Sequence, residues 1–527
     1  MIRVADVIVD SVLAQGATIG FGVPGESYLA VLDAFFDRRD RFRFVPTRHE
    51  GGAAFMAEAF GKLTGRPGLC FVTRGPGATN AAIGIHTAMQ NSTPMVLFVG
   101  QIRSGDRDRE AFQELDYRQV FGPIAKWVTE IDNPDRAAEL VRRAYTTAMT
   151  GRPGPVVVAL PENVLRMETP VPAASSVVLP KLSAHPEDLS AAREAYLLAD
   201  RPLVVVGGGG WTEVDRQALN AWARGTKTPV IAGFRYQDLV DNRLATYVGD
   251  AGVGMPAGSR AALQEADLII AVNVRFGEMM TDAWSLFEGR DRMPKIIHLH
   301  RDPAEINKVY SASVALLGAP ADLFEVLGDH PTDANWAAHH RETNVGLRAG
   351  DANANVSMHA LCRALNAALP DSAILTNGAG NFAAWPSRHI DLGAGRRLIA
   401  PQSGAMGAGI PAAIAAKLIS PERHVLCFAG DGDAQMTGQE MATATQEGAL
   451  PNILVLDNGG FGTIQTHQAR DFPGRVSGTE LVNPDFVKWA EACGFEGLRL
   501  NQSADIARIA HRLSTEQGLL VTVEDYA

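Results

Sequence analysis

The residues best suited to chemistry stand near the end of the chain. The run HVLCFA (424–429) leads into Gly430, Asp431, Gly432 and Asp433. A helix-like stretch, TGQEMATATQEGAL, follows, and then NILVLDN (452–458) with Gly459 and Gly460 behind it. Two apolar runs around a helix read as a β-α-β unit, which puts Asp431 and Asn458 at the carboxyl ends of parallel strands, where open α/β sheets bind ligands. A carboxylate, an amide oxygen and the carbonyls of a glycine turn, with Gly460 as the third ligand, are hard oxygen donors. They suit Mg²⁺ that holds phosphate groups. The glycines leave backbone N–H groups free to face a diphosphate. On its own, the GDG triplet reads first as a structural turn.

A second region has the same character. Glu50 opens a helix in TRHEGGAA (47–54), and RGPGATN (74–80) comes next. A lone glutamate at a helix start reads as a dipole stabiliser. Further candidates are AFQE (111–114), with Phe112 and Gln113, and QSGAMG (402–407), with Gly404 and Met406.

Positioning these residues takes several sheets. Short β-branched runs alternate with helical patterns throughout, the signature of parallel α/β architecture. The fold class is therefore α/β, with three doubly wound parallel-sheet domains over 1–170, 187–328 and 355–527. Pro170 to Pro186, rich in Pro, Ala and Ser, reads as the first linker. Gly328 to Asn355 is polar and reads as a solvated second linker, and its His339 and His340 have no partner ligands nearby. The outer blocks are similar in size and suggest duplicated sheet units.

Composition narrows the class further. A net charge of −11 gives no electrostatic footprint for general nucleic-acid binding. Asp6 and Asp10 interrupt the apolar pattern of MIRVADVIVDSVLAQGA, so the start reads as an amphipathic helix, not a secretory segment. No apolar run approaches the ~18 residues of a membrane span. Cys70, Cys362, Cys427 and Cys493 are widely spaced, as expected of buried thiols in a reducing cytoplasm. Glycine, 52 of 527 residues, exceeds its usual level and collects at the ends of the strand-like runs.

In order, FGVPGES, RHEGGAA, GPGATN, AFQE, PVVVALP, GAMGAGIPAAI, GDG and DN cover nearly the whole chain. This series resembles the thiamin diphosphate-dependent enzymes, particularly the group containing acetolactate synthase, benzaldehyde lyase and pyruvate oxidase. The resemblance implies a pyrimidine-binding, a central and a diphosphate-binding domain, with thiamin diphosphate and Mg²⁺ as cofactors. It assigns Glu50 to the cofactor's aminopyrimidine N1′, where a carboxylate promotes loss of the thiazolium C2 proton. By the same resemblance the Gly404 carbonyl accepts from the 4′-amino group and Met406 props the cofactor into a bent shape. Ala379, Gly380, Asn381, Gly432 and Asp433 hold the diphosphate end, and Asp431, Asn458 and Gly460 hold the metal. Phe112 and Gln113 stand where pyruvate decarboxylases carry histidines. The implied assembly is a homodimer or homotetramer whose sites are shared between subunits.

The implied reaction decarboxylates a 2-oxo acid and joins the acyl carbanion to an acceptor. The alternative is cleavage of a hydroxyketone or diketone. Three departures leave the acceptor open: Glu162 in LPENV where the group usually has Lys, Met279 in NVRFGEMMTD where its FAD-containing members have Arg, and His467 in FGTIQTH in place of a Trp. FAD is open as well. GGGG (207–210) after a strand suits a nucleotide, but His300 in HLHRDP replaces the acid expected further on. An NAD enzyme would need a GxGxxG with a downstream acid in that context. A non-catalytic homologue would not need Glu50, Met406, Asp431 and Asn458 together.

Overall fold

Runs of Val, Ile, Leu and Phe bounded by Gly, Pro and Asn become the strands. Met95–Gln101, Pro155–Pro161, Leu268–Val272 and Val425–Gly430 are buried along their whole length, as strands covered by helices on both faces must be. The computed structural model describes residues 1–290, 292–345, 355–524 and 526. Over these the chain forms three six-stranded sheets and a two-stranded antiparallel ribbon of Ile2–Arg3 with Glu168–Thr169.

The N-terminal sheet contains, in chain order, Ile19–Gly22, Arg43–Pro46, Gly68–Val72, Met95–Gln101, Trp127–Glu130 and Pro155–Pro161. Side by side they run second, first, third, fourth, sixth, fifth, all parallel. The C-terminal sheet is built from Ile374–Asn377, Arg397–Ile399, Val425–Gly430, Asn452–Asp457, Glu496–Leu500 and Leu519–Glu524. It repeats the same order, also all parallel. The central sheet differs: Pro202–Val206, Val230–Gly233, Tyr247–Ala251, Leu268–Val272, Lys295–His300 and Val314–Leu317 lie third, second, first, fourth, fifth, sixth. That is the dinucleotide-fold order. In the outer sheets the order reverses between the first and third strands, in the central sheet between the first and fourth. Ligand crevices open at such reversals.

One hydrophobic core joins the two outer sheets. It includes Ala53, Ala54, Met56 and Ala57 of the helix Glu50–Thr64 and Ala412, Ala413, Ile414 and Ala416 of the helix Gly409–Ile419. Alanine lets these helices approach closely, so the turn that begins with Glu50 sits on a rigid platform.

The polar stretch after Gly328 is not a solvated linker over its described part. Ala334–Val345 is a helix, and His340 in it is only 2% exposed. Polar groups anchor it. Asn344 Oδ1 accepts from Gly258 N at 2.8 Å and its Nδ2 donates to Val248 O at 2.8 Å, while Arg341 donates to the carbonyls of Leu244 and Tyr247. A helix docked through amides and guanidinium leaves no apolar stripe for a periodicity argument to find. The rest of that stretch, 346–354, lies outside the described residues. The four cysteines are free, and all but the half-buried Cys493 are buried.

Candidate active site

Strands Val425–Gly430 and Asn452–Asp457 are adjacent and parallel, with Gly430 opposite Leu456, so Asp431 and Asn458 emerge side by side. Asp431 Oδ2 is engaged by Gly460 N at 3.0 Å and Asn483 Nδ2 at 2.7 Å. Asn483 also donates to Asp457 Oδ1 at 2.7 Å. Oδ1 of Asp431 faces the Asn458 amide, one end of which stands 3.2 Å from that oxygen and 2.8 Å from Gly460 O. With the amide oxygen there, three oxygens converge with no donor among them. Oxygens about 2.1 Å from one Mg²⁺ lie about 3 Å apart along an octahedral edge. The cluster therefore fits a small divalent cation, and the three residues are those singled out from sequence. Among the described residues no three His, Cys, Asp or Glu side chains group into a metal site. The donor set has to draw on amide and carbonyl oxygen.

The neighbouring segments are tied to this cluster. A Cβ on Gly462 would lie 2.6 Å from Asn458 Nδ2 and 3.9 Å from Asn381 Nδ2, and Thr463 Oγ1 donates to Asn381 Oδ1 at 2.9 Å. Gly380 and Asn381 thus stand beside the cation site, at the strand-order reversal. Asp433 turns inward. Its Oδ1 accepts from Ala379 N at 3.2 Å and Gly407 N at 2.8 Å, while Oδ2 is buried without a partner. Burial pushes this carboxyl up to about 7, although the two amides and Arg235 pull the other way. Thr437 Oγ1 donates to Gly407 O at 2.6 Å. Asp433 and Thr437 accordingly fix the end of the loop carrying Gly404 and Met406. Gly404 is exposed, with φ +67° and nothing near its Cβ position, and Met406 is half-buried.

Glu50 sits in the first turn of its helix, after His49, whose Nδ1 accepts from Gly51 N at 3.0 Å. Asn80 Nδ2 donates to Glu50 Oε2 at 2.9 Å. A Cβ on Gly77 would lie 3.2 Å from Glu50 Oε1, so the glycine admits the carboxylate. From the C-terminal domain, buried Glu440 accepts from Arg48 N and His49 N at 3.1 and 2.9 Å and braces this corner; burial raises its carboxyl. The side-chain contacts of Glu50 lie on the N-terminal domain and those of Asp431 on the C-terminal domain. The described contacts do not bring the two carboxylates together within one chain.

Phe112 is 73% exposed, and Gln113 has the left-handed φ of 65°. Both belong to a group centred on Arg74, which sequence reading passed over as part of a glycine motif. Arg74 Nε donates to Gln113 Oε1 at 3.3 Å, Nη2 to Glu26 Oε1 at 2.6 Å and Nη1 to Glu162 Oε2 at 3.3 Å. Its guanidinium carbon is 5.9 Å from the Phe112 ring centroid. Glu440, Asn483 and Glu26 were missed too. Glu26, Asn80 and Glu440 stood inside quoted stretches without being singled out, and Asn483 stood in none.

The GGGG run lies at the carboxyl edge of the central sheet and meets the chain's own atoms. A Cβ on Gly208 would be 2.2 Å from Asn273 O, and one on Gly209 would be 2.0 Å from Ser92 O, at the end of an N-terminal-domain helix. Arg275 donates to Gln90 O at 2.6 Å and Tyr236 to Asn91 O at 2.5 Å, closing the same edge. Burial pushes His300 down to about 4, so it is neutral, and its Nδ1 accepts from Asp302 N at 3.0 Å. Close packing against the chain's own backbone thus accounts for the glycines at 208 and 209.

Comparison with known proteins follows the three sheets. Residues 2–120 match the thiamine pyrophosphate enzyme N-terminal TPP binding domain, 189–327 its central domain and 378–523 its C-terminal TPP binding domain. The acetolactate synthase large subunit of Corynebacterium glutamicum is 31% identical, with the match covering 95% of this chain and 83% of that protein. The large subunit from Parasynechococcus marenigrum is 30% identical over 94% and 83%. The mitochondrial catalytic subunit of Saccharomyces cerevisiae is 31% identical over 97% and 79%.

Proposed function

Because the chain belongs to the thiamine pyrophosphate enzyme family, with acetolactate synthase large subunits among its relatives, we propose that its two outer sheets supply the two halves of one carboligase site. The enzyme is thiamin diphosphate-dependent and acetolactate synthase-like, decarboxylating a 2-oxo acid and joining the acyl group to a second carbonyl. When bound, thiamin diphosphate supplies the carbanion that adds to the donor carbonyl and stores the electrons released with CO₂. One observation carries the proposal: the cluster of Asp431, Asn458 and Gly460 on one outer sheet is matched by a carboxylate, Glu50, held at the corresponding edge of the other.

The residues divide the work. Asn483 and Gly460 N hold one oxygen of Asp431, leaving the other to join Asn458 and Gly460 O around Mg²⁺. Gly380 and Asn381 stand where a diphosphate on that ion would lie. Asp433 and Thr437 orient the loop that presents Gly404 and Met406. Asn80 takes one oxygen of Glu50 and leaves the other available to hold a proton on the cofactor's pyrimidine. That the described side-chain contacts of Glu50 and of Asp431 lie on different domains supports a homodimer, or a homotetramer of two such dimers, in which each site takes Glu50 from one chain and Asp431 from the other. Free thiols support a reducing, cytoplasmic setting. FAD takes no part in the proposed reaction.

The test is to incubate the protein with thiamin diphosphate, Mg²⁺ and a panel of 2-oxo acids and acyloins, following CO₂ and identifying products by mass spectrometry. The reading predicts CO₂ with a coupled product. Failure of every 2-oxo acid to give either would overturn it, and cleavage of acyloins alone would establish the lyase alternative.

A further inference from the structure

Four segments meet at Arg74: Glu26 follows the first strand of the N-terminal sheet, Arg74 the third, Gln113 the fourth and Glu162 the sixth. The ion pair of Glu26 with Arg74 therefore spans the strand-order reversal, where this sheet opens a ligand crevice. The same turn reaches Glu50, since Gly77 N bonds Arg74 O at 3.1 Å and Gly77 lies against the Glu50 carboxylate. Arg74 is only 8% exposed and three of its donors already point at acceptors, two of them carboxylates. One guanidinium between two carboxylates leaves a net negative charge.

Neighbouring cations do not offset it. Arg107 is paired with Glu130, and Arg48 donates to Ala442 O and Gln446 Oε1. In the loop before Gln113, the remaining Arg103 and Arg109 are outnumbered by Asp106, Asp108 and Glu110. Gln113, held by Arg74 in a left-handed backbone conformation, is a neutral hydrogen-bonding group.

We propose that this crevice selects an uncharged acceptor, an aldehyde or simple ketone, over a second 2-oxo acid, with Glu26 and Glu162 as specificity-determining residues and Arg74 positioning Gln113. The inference rests on the carboligase reading and refines its acceptor. The donor's C1–C2 bond breaks as CO₂ leaves. The electron pair left at C2 forms the new bond to the acceptor carbon, and the acceptor oxygen takes up one proton, giving a neutral acyloin. A donor carboxylate is tolerated because its charge departs with CO₂, so repulsion is relieved along the reaction. An acceptor carboxylate keeps its charge through to product. One unbalanced charge about 7 Å from that carboxylate, partly screened by water because the Glu26 side chain is 65% exposed, disfavours it by about three- to tenfold.

The experiment offers the holoenzyme propanal and 2-oxobutyrate together, at equal concentration, with pyruvate as donor and in parallel with an acyloin donor, and reads both products by mass spectrometry while CO₂ is followed. The neutral acyloin is expected in about three- to tenfold excess. Glu162→Gln should lower the ratio of KM for 2-oxobutyrate to KM for propanal by several-fold, a split that general loosening of the fold would not produce. Glu26→Gln should act in the same direction and serves if the first variant misfolds. Equal or greater formation of the acidic product by the wild-type enzyme overturns the inference while CO₂ release upholds the carboligase reading. Absence of CO₂ overturns that reading, and the acyloin-donor arm still reports the acceptor preference. Absence of transfer from either donor overturns both.

Discussion

The N-terminal and C-terminal sheets share one strand order, yet their carboxyl edges carry different chemistry. At the C-terminal edge oxygens of Asp431 and Gly460 meet at the Asn458 amide, with Asp431 fixed from behind by Asn483. At the N-terminal edge Glu50 is held apart by Asn80 while the other charged groups gather on Arg74. Topology supplies a crevice and leaves its contents to the loops. One edge is suited to binding a charged cofactor, the other to moving its proton and choosing what reacts with it.

If that division holds, damage to the two edges should have different signatures. Glu50→Gln should lower kcat by about 10²- to 10⁴-fold and change thiamin diphosphate affinity little, measured by steady-state kinetics beside calorimetric titration. Asp431→Ala should reverse the pattern, with Mg²⁺-dependent cofactor affinity down by about 100-fold or more. Asn483→Ala removes only a group behind the ligand and should weaken Mg²⁺ affinity by about tenfold, recoverable at high metal concentration. Glu440→Ala strips the acceptor from the Arg48 and His49 amides and should destabilise the fold by about 1–3 kcal/mol in chemical denaturation. Gly209→Ala probes the central sheet, away from both edges. Its Cβ would collide with Ser92 O, so stability should fall by about 1–3 kcal/mol with kcat per folded enzyme nearly unchanged.

Sequence legibility followed the same contrast. Asp431 and Asn458 could be found because each directly ends an apolar strand beside glycine, so the local pattern places both. Glu50 was located through its motif, but nothing local to it predicts Asn80 as its partner. The Arg74 group was not legible, since Glu26, Gln113 and Glu162 arrive from distant segments and only the sheet brings them together. Glu440 lies in a stretch that reads only as helix-like, and its contacts with the Arg48 and His49 amides come from docking between domains. In the central sheet GGGG looked like a nucleotide loop because close backbone approach is needed in either case, and the sequence does not say that the approaching atom is Ser92 O. The helix Ala334–Val345 escaped because its anchors are polar.

The claim that one site draws on both edges, from two chains, is tested most directly by mixing two inactive variants. Glu50→Gln and Asp431→Ala proteins are dissociated, combined in equal amounts and reassociated. A mixed dimer then pairs the intact Glu50 of one chain with the intact Asp431 of the other at one of its two sites. Random reassociation should restore about a quarter of wild-type activity. If the mixture, with exchange of chains verified by mass spectrometry, stays as inactive as either variant alone, the two edges do not build a shared site and the account fails.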